Sequence, residues 1–181
     1  MNGNNTIVID VEERREAAMR YFREGYNCCQ SVALAFSDVI SGRTGMTDGQ
    51  VAAVTSGFGG GFARLREVCG CVSGMTFVAG AVSPAKADPG CHGGQGSGEA
   101  VPATDARESR RANYALVQGL AGRFSEENGS IVCRELLGMR SGRRDGPEPS
   151  ERNERFYGTR PCERLVGSAA AILAERLKTL I

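Results

Sequence analysis

The sequence predicts an all-α fold, a single-domain helical bundle of about six to seven helices joined by glycine-rich loops. Three observations lead there. Apolar residues recur at three- and four-residue spacing through most of the chain. No stretch alternates apolar and polar residues in the manner of a strand, and no internal repeat is visible. Asn, Ser or Thr stands just ahead of several apolar runs, where helix caps belong.

Residues 11–23 read as the first helix, with Val11, Ala18, Tyr21 and Phe22 inward and Gly25 as its stop. Residues 27–40 read as the second, with Cys29, Val32, Ala33, Phe36 and Ile40 on one face. A loop over 41–45 follows, then a short helix capped by Thr47 and running to Ser56. The glycine-rich stretch over 57–62 has no strand before it and no Gly-Lys-Ser/Thr after it, so it is read as a tight turn beside a packed group, not a nucleotide loop. A central helix is expected over 67–83. Val68, Cys71, Val72, Met75, Ala79 and Val82 form its apolar stripe, and Cys69, Ser73, Thr76 and Gly80 a small, mildly polar seam. Gly70 and Gly74 would let another helix approach closely.

Residues 84–104 and 141–155 read as loop insertions in one domain spanning 1–181, the second of them charged and mobile. Between them a helix from Asp105 to Phe124 turns Tyr114, Val117, Ala121 and Phe124 inward, and a short helix over 130–138 carries Cys133. The last helix, over 161–180, lines one face with Leu165, Ala169, Leu173, Leu177 and Leu180.

Composition narrows the function. The chain has 181 residues, 41% apolar and 24% charged, enough for one ordinary globular core. A net charge of +1 gives no pull toward nucleic acid or anionic membranes, and no apolar run is long enough to span a bilayer. The first five residues show no signal-peptide pattern, so a cytoplasmic location is expected. Seven cysteines are many for that compartment, where metal binding or redox chemistry accounts for them better than structural disulfides.

Four of the seven, Cys28, Cys69, Cys133 and Cys162, are placed in first helical turns: Asn27 directly precedes Cys28, and Ser130 and Thr159 stand three residues before Cys133 and Cys162. The partial positive charge and unpaired N–H groups of a helix start favour thiolate, the form that binds metals and attacks disulfides. Cys71 is read as core filler. The chemistry stays open among three uses of those thiols: an iron–sulfur cluster, a dithiol–disulfide couple, or a structural zinc. Zinc is less favoured, since no Cys-x2-4-Cys knuckle is present. No haem is expected, because Asp88 stands where Cys-x-x-Cys-His would need its first cysteine before Cys91 and His92. His92 is the sole histidine, in a loop, which argues against a hydrolytic Cys–His site.

Several segments in order carry a resemblance. They are Gly25-Tyr26-Asn27-Cys28, Ser56-Gly57-Phe58-Gly59-Gly60-Gly61, Cys69-Gly70-Cys71-Val72-Ser73-Gly74, Ser130-Ile131-Val132-Cys133-Arg134-Glu135-Leu136-Leu137-Gly138, and Cys162 ahead of Leu165-Val166. Together they resemble the C_GCAxxG_C_C family of redox-active proteins, with four family cysteines and a Cys-Gly-Ala-x-x-Gly motif. The resemblance places the family cysteines at Cys28, Cys69, Cys133 and Cys162. This chain departs from the motif at Cys71, where the family has Ala, and adds Cys29 and Cys91. A related module in split-Soret cytochromes implies a 2Fe–2S centre. By that resemblance the protein is a redox carrier or sensor with an unidentified redox partner protein, and whether it is an oxidoreductase or an electron carrier stays open. The glycine seam and apolar terminal helix are compatible with a homodimer.

Overall fold

Asp10 starts the first helix by accepting the Glu13 N–H at 2.9 Å, and Gly25, at φ 103°, turns the chain away after it. In this computed structural model the described residues are 8–83, 103–140 and 145–180. Nine helices lie within them: α1 (Val11–Arg23), α2 (Cys28–Leu34), α3 (Ser37–Thr44), α4 (Asp48–Thr55), α5 (Gly70–Val82), α6 (Ala103–Asn128), α7 (Cys133–Leu136), α8 (Glu154–Thr159) and α9 (Cys162–Leu177). The all-α expectation holds, with more and shorter helices than the six to seven expected.

The extra helices have physical causes. Residues 27–40 are two helices, not one, because Arg14 of α1 reaches across: its Nη1 donates to the Ala35 carbonyl at 2.7 Å, and its two terminal nitrogens grip the Asp38 carboxylate, each at 2.6 Å. Its guanidinium also covers the Phe36 ring. Phe36 leaves helical geometry at φ −124°, ψ 24°, yet Cys29, Val32, Ala33, Phe36 and Ile40 all remain buried. Helix α8 was not expected at all. It is held by Phe156 and Tyr157 packing on Phe22, with ring centroids 6.2 and 6.0 Å away.

Helix α1 lies along α9, α2 lies against α5, and α6 packs on α5 and α9 around one continuous apolar core. Leu165, Ala169, Leu173 and Leu177 are buried as expected, while Leu180 lies beyond the helix and is exposed. Tyr114 is also exposed, while α6 meets the core from Leu116 and Val117 onward and buries Leu120 and Phe124. On α5 the apolar stripe is buried from Cys71 onward. Val68 precedes the helix and is exposed, and the polar stripe of Ser73, Thr76 and Gly80 faces outward instead of forming a seam. Among the described residues, no helix is long and apolar enough to cross a membrane.

The expected close approach at glycine is real. A Cβ on Gly74 would lie 2.8 Å from Val32 Cβ and 2.9 Å from the Cys29 carbonyl oxygen, so α2 and α5 touch backbone to side chain there. Gly74→Ala should therefore cost about 1–3 kcal/mol in urea unfolding. Gly80→Ala, on the open face of the same helix, should be neutral or slightly stabilising. Equal midpoints for the two variants would contradict this packing.

Candidate functional site

Cys28, Cys69, Cys133 and Cys162 all stand at helix starts, and all four line one cavity of about 350 Å³. Each is placed by a different local device. Cys28 opens α2, where Asn27 accepts the Cys29 and Gln30 N–H groups at 3.0 and 3.1 Å and Gln30 accepts the Asn27 N–H in return. Asn27 Nδ2 also donates to the Ser56 carbonyl, and a Cβ on Gly59 would sit 2.5 Å from the Asn27 side chain. Cys69 is the residue ahead of α5, and Cys133 opens α7. Residues 67–69, expected as helix, instead run antiparallel to residues 131–133 through a bridge between Val68 and Val132. The Cys69 N–H donates to Ile131 at 2.8 Å and the Cys133 N–H to Glu67 at 2.7 Å, which sets the two cysteines side by side. Cys162 opens α9 behind Pro161.

The expected caps Ser130 and Thr159 serve otherwise. Ser130 Oγ accepts the Val132 N–H ahead of α7, and Thr159 Oγ1 donates back to the Arg155 carbonyl in α8. Cys71 is buried in the apolar core as expected, and, with α5 beginning at Gly70, it also falls in the first turn and borders the cavity. Cys29 is fully buried in α2, where loss of solvent pushes its thiol up to about 12. Cys91 and His92 lie outside the described residues.

The thiols are neighbours in succession round the site: Cys28 lies beside Cys162 and Cys71, and Cys71 beside Cys69. The neighbouring Cys162 and Cys71 thiols, with Arg152 nearby, hold the Cys28 thiol well below the ordinary thiol range despite burial. Those two are themselves raised in consequence. Cys133 stands apart, pushed up to about 11 by burial, with Arg66 Nη1 at 3.8 Å from its sulfur partly offsetting that rise. All six cysteines in the described residues are free thiols. Among those residues, no three Cys, His, Asp or Glu groups are gathered so as to hold one metal ion.

The opposite wall is built by an unusual backbone. Gly60, Gly61, Phe62, Ala63 and Arg64 are five consecutive left-handed residues, with φ of 65°, 72°, 62°, 46° and 67°, and Arg66 follows at 64°. Each left-handed non-glycine residue costs on the order of 1–2 kcal/mol. Backbone bonds from Ala63 to Gly57 at 2.7 Å and from Glu67 to Gly61 at 3.0 Å hold the turn. A Cβ on Gly61 would come within 2.6 Å of Cys133 Cβ. The turn aims Arg64 and Arg66 at Asp145: Arg66 Nε donates to its carboxylate at 2.8 Å, Arg66 Nη2 binds the same oxygen, and Arg64 Nη2 lies at 3.5 Å. Arg64 Nε also donates to the Gly146 carbonyl at 2.8 Å. Of the segment expected to be mobile, residues 141–144 lie outside the described residues, and Asp145, Gly146 and Ser150 are held by these arginines, with Pro147, Pro149, Ser150 and Arg152 in the cavity wall. Sequence reading found none of these arginines. The one signal available was Arg64-Leu65-Arg66 directly after the glycine run.

With this geometry in place, comparison with known proteins gives one match: the family described as "Putative redox-active protein (C_GCAxxG_C_C)" covers residues 26–176, and the chain belongs to it. No curated protein and no solved structure matches.

The environments predict an order of reactivity. Iodoacetamide below pH 8 should alkylate Cys28 first, because its lowered pKa keeps thiolate populated there, while Cys29 and Cys133 react only as pH rises toward about 12 and about 11. Peptide mapping after timed labelling reads this order, and Cys133 reacting ahead of Cys28 would overturn it.

Proposed function

We propose that this member of the C_GCAxxG_C_C family is an electron-transfer or redox-sensing protein whose centre is a 2Fe–2S cluster held by Cys28, Cys69, Cys133 and Cys162. The observation that carries the reading is the convergence of these four thiols, from distant parts of the chain, on one cavity. The donors fit such a group. Sulfur is the only ligand type in the lining, without His or carboxylate.

A bound cluster supplies one-electron chemistry. The chain's own residues do the rest. Helix starts at α5 and α9 bring N–H groups and positive partial charge toward the sulfurs. Arg66 and Arg152 offset thiolate charge, and Phe22, Leu136, Leu137 and Leu165 exclude water. Both effects tune a reduction potential.

A second reading is favoured by a specific contact: Cys28 has two thiol neighbours, Cys162 and Cys71. A Cys28 thiolate with a thiol beside it is the starting arrangement for a dithiol–disulfide couple, in which two thiols give up two electrons and two protons to form one S–S bond.

One sample decides between them. Protein purified without oxygen should carry about two iron and two acid-labile sulfide per chain and be coloured. Ser at position 28, 69, 133 or 162 should lower the iron, whereas Cys29→Ala and Cys71→Ala should retain it. Colourless, iron-free protein that resists reconstitution and reversibly loses two thiols on mild oxidation would sink the cluster and leave the disulfide couple. Stoichiometric zinc in the same sample would sink both.

A further inference from the structure

The cavity has a second kind of wall that the thiols do not explain. Arg64, Arg66, Arg152 and Arg160 all line it, and no Asp, Glu or Lys does. Arg64 and Arg66 share Asp145 from behind. Arg152 and Arg160 have no such partner: among the described residues neither forms an ion pair. Arg152 donates to the carbonyls of Phe22 at 3.1 Å and Tyr26 at 3.0 Å, with its guanidinium 4.5 Å from the Phe22 ring centroid and 4.7 Å from that of Phe156. Arg160 donates to Ser150 Oγ at 3.2 Å and lies over the Phe156 ring at 4.8 Å. Both cations are held in place by rings and neutral oxygens; Arg152 also faces the Cys28 thiol, whereas Arg160 meets no anionic side chain among the described residues. The start of α9, at Cys162, adds to the same field.

We infer that the cavity is a binding site for a small organic anion, a carboxylate or sulfonate, which Arg152 and Arg160 hold beside Cys28 and Cys162. The inference rests on the cavity being the redox centre, and it names the class of small molecule admitted there. A volume of about 350 Å³ falls in the range of ligand pockets. Fixed cations in a low-dielectric cleft draw anions in and repel cations, and they do so most strongly for reagents that must enter it.

Charge-selective labelling of the reduced, metal-free full chain tests this, with its fold checked by circular dichroism. Two methanethiosulfonates of similar size are compared, one carrying a sulfonate and one a trimethylammonium, with the neutral methyl reagent reporting access. In each reaction a cysteine thiolate attacks the sulfenyl sulfur of the thiosulfonate, a new S–S bond forms and methanesulfinate leaves, and every rate is taken relative to that reagent's rate with a small free thiol, so that the ratios below report the cavity alone. Peptide mapping should show the sulfonate reacting at Cys28 or Cys162 about tenfold or more faster than the ammonium. That ratio should shrink as salt shortens the Debye length. It should move toward unity in Arg152→Gln and in Arg160→Gln. Because Arg152 also packs on Phe22, Arg160→Gln decides if the other variant loses its fold. Equal rates, a faster cation, a ratio unchanged by Arg160→Gln, or exclusion of the neutral reagent would each overturn the site. Equal rates would leave the iron result untouched, and iron-free protein would leave the ratio untouched, so the two readings fail separately.

Discussion

The meeting of Cys133 with the other thiols depends on the short antiparallel contact between residues 66–69 and 131–134. Three backbone hydrogen bonds make it, from Cys69 to Ile131, from Cys133 to Glu67 and from Arg134 to Arg66, at 2.8, 2.7 and 3.1 Å. Helix α7 has four residues and could not persist alone, since helix nucleation costs more than one turn returns. The contact supplies what the helix lacks, and so fixes Cys133 against Cys69. It forms only because the left-handed turn over 60–64 reverses the chain ahead of Glu67. Several kcal/mol of backbone strain are tolerated there because Gly59 and Gly61 admit Asn27 and Cys133 where a Cβ would collide.

The charges obey the same economy of position. Arg66 is almost wholly buried, and a buried guanidinium without a partner would be strongly destabilising. Asp145 meets that requirement and in doing so draws the 145–150 segment over the thiols. Arg152 places one N–H of each terminal nitrogen on a carbonyl at or just beyond the end of α1 and its faces on aromatic rings. One pair of arginines therefore closes the cavity, and the other pair charges it.

The parts legible in the sequence were those set by neighbours a few residues away. Asn27 beside Cys28, Thr47 ahead of α4 and the four-residue spacing of α9 are local statements, and each held. The core face of α2 and α3 was legible for the same reason, even though the helix was not continuous: burial follows spacing, while the break at Phe36 comes from Arg14, more than twenty positions away. That residues 145–150 are a loop was legible, but their contacts with Arg64 and Arg66 were not, because Gly, Pro and charge describe a loop equally well with or without such partners. Cys71 is core as its spacing said, but its place beside Cys28 was not legible, because that follows from where α5 begins: residues 67–69 pair with 131–133, which puts Cys71 in the first turn.

The supports of the four family cysteines are unequal, and this bears on how the centre could respond to its state. Cys162 opens a sixteen-residue helix buried along α1, and Cys69 precedes a thirteen-residue helix packed on α2; both are anchored by the core. Cys133 is anchored by two strained or solvent-facing pieces of backbone and by Arg66, whose own position depends on Asp145. Local opening draws on the segments with the fewest buried apolar contacts. Cys133 and the turn that holds it are therefore the part of the site whose order is most sensitive to what occupies the cavity. A group bound to all four sulfurs would tie this weakest support to the two strongest. Oxidation confined to Cys28 and its neighbours Cys71 and Cys162 would leave it untied. The two chemistries open to these thiols thus differ in electron count and also in whether residues 60–67 and α7 are held to the core.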